Sequence, residues 1–416
     1  MMPKGWKHQE LGENIDLTSG YAFKSSEYSD KDKGVKLLRG DNITPNKLRW
    51  KNAKYWDNPI DEKLEKLFLK SGDLIIAMDR TWVSAGLKIA VVKESDLPCL
   101  LVQRVARVRA NKSLFQDFIS HIITGHQFSE YVKSVQTETA VPHISSKQIK
   151  EFPVLVPPLP EQKKIAKILA TWDEGITTTE QLIEASKKQK KALMHKLLTG
   201  KKRSKKFAVS NNKQATRFYD LPVDWDYPQI KDIASAVSQK NISGKQLTVL
   251  SCTKHNGLVE SLSYFGKQVF SKDTSTYKIV PRNCFAYATN HIEEGSIGYQ
   301  NQYDEALISP MYTVFKTTSN INDRFLFHLL KTEWYRHIFE VNTNASVDRR
   351  GCLRWKEFSL IRIPLPSLPE QEHIAATLDK CDQLIEQYEK KALMQQLLTG
   401  KRRVKVDDAQ SMAVAS

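Results

Sequence analysis

Cysteine is scarce and unpatterned in this chain: five residues in 416, at Cys99, Cys252, Cys284, Cys352 and Cys381, with no C-x-x-C pair. An odd, scattered set offers neither a disulfide framework nor a structural zinc site, and it suits a reducing compartment. Long apolar runs are missing too. No stretch approaches the roughly eighteen apolar residues of a membrane span, and the opening MMPKGWKHQELGEN has no apolar signal core. The expectation is a soluble, cytoplasmic protein without a membrane partner.

The motifs of several enzyme classes are absent as well. An ATP-driven motor needs G-x-x-x-x-G-K-[ST], because backbone amides and the lysine must cradle phosphates, and no segment matches. A DNA methyltransferase should show a glycine-rich cofactor loop and an N-P-P-aromatic or D-P-P-Y motif for the flipped base, yet Asn58-Pro59 is followed by Ile60. No proline precedes an aspartate, so the P-D…(D/E)-x-K metal cluster of many nucleases is missing, and Glu161-x-Lys163 falls in a helical segment. The ten histidines show neither H-x-x-x-H nor H-E-x-x-H. No catalytic residue and no metal ligand is assigned.

Positive charge is abundant. Sixty-three Lys and Arg against forty-seven Asp and Glu give a net +16, which favours a polyanionic partner, although a basic surface can also be simply solvated. The length suffices for two or three domains.

An internal repeat organises the chain. PPLPEQKKIAKILATWDEGI from Pro157 recurs as PSLPEQEHIAATLDKCDQLI from Pro366, an offset of 209 residues, and KALMHKLLTGKKR from Lys191 recurs as KALMQQLLTGKRR from Lys391, an offset of 200. The second copy is therefore nine residues shorter (209 minus 200) between its two matched ends. Each copy reads as a long helix. Pro160 and Pro369 suit a first turn, Glu161 and Glu370 suit its positive dipole end, and Gly200 and Gly400 suit a left-handed stop.

In the first copy Ile165, Leu169, Trp172, Ile176, Thr179, Ile183, Ser186, Lys190, Leu193 and Leu197 alternate four and three apart, the spacing of a coiled-coil seam. The second copy keeps the seam through Ile374, Leu378, Cys381, Ile385 and Tyr388. Its next apolar residues, Leu393 and Leu397, arrive five and nine later. The pattern predicts antiparallel pairing of two arms, with the shorter one shifting its seam or breaking near Tyr388.

These repeats divide the chain into blocks 1–156 and 204–365, helical regions 157–203 and 366–403, and a tail 404–416 expected to be disordered. Ser204–Arg217 reads as a linker. The runs Asp73–Ala77, Ile89–Val92 and Met311–Lys316 read as strands, and so do the approaches to each helix from Glu151 and Phe358. Amphipathic helices are expected over Leu114–Thr124 and Arg324–Phe339. The fold class is α+β: two similar globular domains joined by two long antiparallel helices, with an internal pseudo-twofold repeat.

The LPEQ-led helix ending in LLTGK, present twice and following two dissimilar blocks, resembles the conserved regions of the specificity subunits of type I restriction-modification systems. The block openings GWKHQELGENIDLTSGYAFKSSEY from Gly5 and LPVDWDYPQIKDIA from Leu221 are similar to the starts of that family's target recognition domains. The resemblance implies a non-catalytic subunit in which each domain reads one half of a split target in double-stranded DNA. It also implies that the helices set the spacing and dock two modification subunits, with restriction subunits as further partners. No cofactor would be bound by this chain; its partners would use S-adenosylmethionine, and ATP with Mg where a nuclease subunit is present. An enzyme with unrecognised motifs and a coiled-coil protein adaptor are the rival readings.

DNA reading needs Lys and Arg on phosphates and hydrogen-bonding side chains on base edges. Candidates in the first block are Arg39, Asn42, Arg80, Thr81, His143, Ser145 and Lys147. In the second they are Lys254, His255, Asn290, His291, Arg349 and Arg350. Asn344–Arg350 answers Thr139–Ser145 in distance from the helix. Each loop could equally be a turn. Lys187–Lys206, with ten Lys or Arg, could track phosphates, form a solvated face or meet an acidic partner.

Overall fold

The computed structural model describes residues 3–30, 32–83, 86–136, 142–208, 212–217, 220–343 and 352–398. The expected tail 404–416 and the stop at Gly400 lie outside them. The chain forms two compact units, one of residues 1–179 with 391–416 and one of residues 180–390.

Each unit is built on the same antiparallel four-stranded sheet. In the first the order is Ile89–Val91, Leu74–Ala77, Val105–Ala110, Ile15–Ser19; in the second it is Ile297–Gln300, Cys284–Ala288, Tyr312–Thr317, Ala234–Val237. The central strands LIIA and CFAYA are buried at every position, as strands covered on both faces must be. Leu74 and Ile76 face the core that includes Phe118, Ile119 and Phe128, while Ile75 and Ala77 face a second core with Leu37, Leu100 and Trp56. In the second unit Phe285, Tyr287, Phe315 and Phe358 form an aromatic cluster, with Phe285 stacked on Phe315 at a centroid distance of 5.0 Å.

Two helices follow each sheet. The expected helix Leu114–Thr124 is Gln116–Thr124, followed by His126–Val135. The expected single helix over Arg324–Phe339 is instead two, Asp323–Leu330 and Glu333–Asn342, because the Thr332 hydroxyl accepts from the Tyr335 amide and starts a new helix. The strand expected from Glu151 forms as Pro153–Val156 and pairs with Lys7–Glu10. Its counterpart before Pro366 is reduced to isolated bridges at Arg362 and Leu365, where Pro364 and Pro366 remove ladder donors. Within the expected linker, Lys213–Ala215 is a strand paired with Asp220–Pro222.

The arms are unbroken helices, Leu159–Leu198 of 40 residues and Leu368–Leu398 of 31. The difference, 40 minus 31, is the nine residues read from the repeat, about 13 Å of helix. Pairing is antiparallel: a Cβ added to Gly175 would lie 3.3 Å from Gln395 Nε2, Lys187 pairs with Glu389 at 2.7 Å, and Lys190 pairs with Asp382.

The repeated glutamine of LPEQ explains how each arm is anchored. Gln162, fully buried, accepts from the Phe115 amide at 2.9 Å and donates to the Ser113 and Pro157 carbonyls at 3.1 and 2.8 Å. Gln371 repeats the arrangement with the Asn322 amide at 2.8 Å and the Asn320 and Pro366 carbonyls at 3.3 and 2.8 Å. One side chain thus ties the start of an arm to the loop before a domain helix, in both units.

The seam differs from expectation at both arms. Ile176, Thr179, Leu197, Ile374, Leu378 and Ile385 are buried, and Ile165 and Leu193 half-buried, but Leu169 and Trp172 are exposed. The second arm neither breaks nor shifts near Tyr388. Its seam continues in heptad spacing through Ala392, which is buried, and Gln395, leaving Leu393 and Leu397 exposed.

A polar lock around the buried His328 joins the second unit to its arm. Asp379 receives Arg324 and, at 2.8 Å, His328 Nε2. Burial pushes the His328 pKa down. Burial pushes Asp379 up, but hydrogen bonds from His328 and Arg324 outweigh it and hold the carboxylate well below its usual range. Both folded-state values are depressed, so the unfolded chain binds the protons first. This stability is fully present above about pH 6.5, the free histidine value, and is lost as pH falls through the folded pKa of His328 and then that of Asp379. Urea midpoints of the second unit, followed by hydrogen exchange at 324–330, should drop between pH 7.5 and 5.5; equal midpoints would contradict this lock.

Candidate nucleic-acid interface

In both units the loop after the central strand meets the chain returning toward the arm. The Ile144 amide donates to the Met78 carbonyl at 2.9 Å, and the Leu353 amide donates to the Thr289 carbonyl at 2.8 Å. Ile144 and Leu353 are 209 residues apart, the offset of the LPEQ helices. Two segments separated in sequence are therefore brought together in the same way in both units.

In the first unit this junction gathers charge around Asp79. His143 Nδ1 lies 2.6 Å from Asp79 Oδ1, Arg104 pairs with the same carboxylate, and Arg80 donates its amide to the Pro142 carbonyl at 2.9 Å while its side chain is exposed. Burial raises the Asp79 pKa, but hydrogen bonds from His143 and Arg104 outweigh it and hold the group ionised. Arg80 and Arg104 both sit at positive φ, 44° and 62°, conformations that cost energy for residues other than glycine.

Lys88 completes the cluster. It is buried, its Nζ lies 3.8 Å from where a Cβ on Gly40 would stand, and it is near enough to Asp41, Asp79, Arg80 and Arg49 to feel their charges. Burial depresses its pKa. Lys88 thereby joins the loop at Gly40 to the loop at Asp79. Arg104 and Lys88 escape sequence reading because one follows a strand without turn residues and the other sits within an apolar run.

Several candidates hold the loops rather than extend from them. Asn42 is buried, accepting from the Arg39 amide at 3.0 Å and donating to the Arg49 carbonyl at 3.1 Å. Thr81 is buried and donates to Gln136 Oε1 at 3.1 Å. Ser145 caps a short helix, accepting from the Gln148 amide at 3.2 Å. The polar atoms of these three DNA-binding candidates thus hold their own loops together. Arg39 is half-buried and donates to the Asn52 carbonyl at 3.4 Å; Lys147 is exposed beside Glu151.

In the second unit Lys254 and His255 lie exposed on the turn between strands Leu250–Thr253 and Gly257–Glu260. Asn290 is half-buried and His291 exposed, its Nδ1 3.2 Å from Glu294. Lys331, not anticipated from sequence, clamps these loops together by donating to the carbonyls of Lys254 at 2.7 Å and Gly295 at 2.8 Å. Burial lowers its pKa to about 8. Arg349 and Arg350 lie outside the described residues.

Four of the ten cations in the basic run from Lys187 are ion-paired within the protein. Lys187, Lys190, Lys191 and Arg203 pair with Glu389, Asp382, Glu333 and Glu370 respectively. That weighs against a continuous phosphate track. Among the described residues, His328, Asp379 and Asp382 are close enough to hold a metal, but Arg324 and Lys190 already neutralise the two carboxylates. No helix among the described residues is long and apolar enough to cross a membrane.

Comparison with known proteins agrees with this duplicated architecture. The family model "Type I restriction modification DNA specificity domain" matches residues 3–187 and again 222–396. The specificity subunit of type I restriction enzyme MjaVIII from Methanocaldococcus jannaschii is 31% identical over 205 residues, 49% of this chain and 48% of that protein; the chain thus spans about half of that relative. The putative MjaX specificity subunit of the same organism is 26% identical over 97% of this chain and 95% of its own length. The crystal structure of the type I restriction-modification S subunit from M. genitalium shares the fold at a TM-score of 0.58 and 14% identity, covering 95% of this chain and 94% of that one. With two matched domains, each a sheet unit followed by its LPEQ-led arm, the chain belongs to the type I restriction-modification DNA specificity family.

Proposed function

We propose that the chain is the non-catalytic, sequence-specific DNA-binding subunit of a type I restriction-modification complex, each unit reading one half of a bipartite target. The arms set the gap between half-sites and dock two methyltransferase subunits; restriction subunits join where present. The chain itself holds no cofactor. S-adenosylmethionine belongs to the modification partners, and ATP with Mg to a nuclease partner.

The observation that carries this reading is the duplicated junction, which presents Arg80, Arg104 and His143 in one unit and Lys254, His255, Asn290 and His291 in the other, on scaffolds locked by buried polar groups. Exposed and half-buried basic and amide side chains on these loops supply phosphate anchoring and base-edge hydrogen bonding together. Lys147, four residues after His143, and Arg39, beside the Gly40 loop that Lys88 approaches, add positive charge, and Arg349 and Arg350 belong to the segment that answers 139–145 in the sequence.

Co-expression with a candidate modification subunit, followed by mapping of methylated adenines, tests partner, activity and target together. Methylation at a two-part motif is expected, and turnover by the isolated chain would overturn the reading. Arg80→Ala should weaken cognate binding by about 1 to 3 kcal/mol relative to scrambled duplex. Equal losses on both duplexes in a titration would reassign Arg80 to the phosphates.

A further inference from the structure

One cation of the first unit is held without a counter-charge. Lys88 is 8% exposed, and its backbone is fixed at the end of the sheet: its amide donates to the Thr81 carbonyl at 2.7 Å and its carbonyl accepts from the Ala77 amide at 3.0 Å. Its Nζ donates no hydrogen bond and closes no ion pair among the described residues. Asp41 and Asp79 act on it through space, against Arg49 and Arg80, and Asp79 is already taken by Arg104 and His143. A buried ammonium without an acceptor is unfavourable, and an anion brought to it offsets that cost.

The sheet does not require this lysine. In the second unit the bond from Ala77 to Lys88 is repeated by the Ala288 amide and the Ser296 carbonyl at 3.0 Å, with a serine in the lysine's place.

The neighbours of Lys88 leave its charge within reach. A Cβ on Gly40 would meet Lys88 Nζ at 3.8 Å and, apart from its chain neighbours, no other heavy atom within 4 Å. The ammonium is thus approached over a position that carries no side chain. Arg39, the preceding residue, holds its Nε buried with no hydrogen-bond partner, a second donor without an acceptor in the same loop. Arg49 and Arg80 are both exposed.

We infer that Lys88 binds one phosphate of the DNA backbone, which enters over Gly40 and meets Arg49 and Arg80 as outer cations. The assignment rests on the DNA-reading function proposed above and names an anchoring residue for it. Lysine is a donor-only point charge, and a base edge offers it partial charge alone, whereas a phosphodiester brings a full negative charge with two free oxygens. One oxygen suits Nζ and the other a guanidinium. A lysine fixed by its own backbone bonds sets the register of the duplex, leaving sequence to side chains that reach further out.

The co-expressed complex, with a duplex carrying its mapped motif and a scrambled one, tests this. Lys88→Met keeps an unbranched stem without the charge. It should weaken both duplexes alike by about tenfold and make the slope of log K against log salt shallower by about 1. Replacing successive phosphates with neutral methylphosphonates should reveal one position in the wild-type complex that costs a similar factor, and in Lys88→Met that position should cost nothing further. Gly40→Ala keeps the charge but sets a methyl 3.8 Å from Nζ, and it should also weaken both duplexes. Because inorganic phosphate offers the same oxygens, the scan also separates the sources: a site for the free ion alone would show no such position. An unchanged salt slope in Lys88→Met, or losses that add at every methylphosphonate as a merely structural lysine would give, would overturn the assignment while DNA reading stood. A wild-type complex that binds neither duplex would remove the proposed function and this anchor together.

Discussion

Arg203→Leu is expected to destabilise the 180–390 unit by about 3 to 5 kcal/mol, because it leaves Glu370 buried and charged with no cation. The Arg203 side chain is 7% exposed and that of Glu370 3%, so solvent screening cannot replace the pair. Asp224 and Trp225 lose a partner in the same step. Glu370→Gln in the Arg203→Leu background should recover part of the loss, since the amide keeps a hydrogen-bonding atom for Trp225 Nε1 without an orphaned charge. With two units the chain need not unfold in one step, so urea melts should be followed by hydrogen exchange at 221–230. A loss below 1 kcal/mol would mean that water reaches Glu370.

Gln162→Leu and Gln371→Leu are expected to cost about 3 kcal/mol or more each, and in different units. Each change strands one amide N–H and two carbonyls that a single side chain had satisfied. An unpaired buried group costs about 1 to 3 kcal/mol, and leucine can answer none of the three. Exchange at 113–119 should rise in the first variant and at 320–326 in the second, with the other unit unaffected. Equal destabilisation of both units by either variant would show that the glutamines do more than anchor their own arm.

Legibility in the sequence followed the range of the interaction. The arm starts were readable because a proline in the first turn and an acidic residue beside it act locally in both copies, and the end of the first arm because Gly200, at positive φ, stops it. Strands such as Leu74–Ala77 were readable because burial on both faces selects an unbroken apolar run. The second-unit helices were misjudged as one because Thr332 looks like any polar residue until its hydroxyl is seen to accept from Tyr335. The seam was misplaced at Leu393 because spacing identifies apolar residues but not the reach of the opposing helix.

The candidate site shows the same division. Arg80, His143, Lys254 and His291 stand out as polar residues in turn-forming segments, and they are accessible. Asn42 and Thr81 look identical in kind, and only packing reveals that their polar atoms close loops. Lys88 and Lys331 are invisible to pattern because each is a lone cation amid apolar neighbours, and their roles arise from carbonyls and charges distant in the chain.

By itself the sequence determined the duplication, the two arms and their nine-residue inequality, since repeats and helix punctuation are written in consecutive residues. Tertiary structure decided that the shorter arm stays unbroken over the described residues, that Leu197 and Leu198 are covered while Leu397 and Leu398 are bare, and which loop residues are exposed. Those outcomes depend on which surfaces meet, and that is a property of distances between residues far apart in the chain.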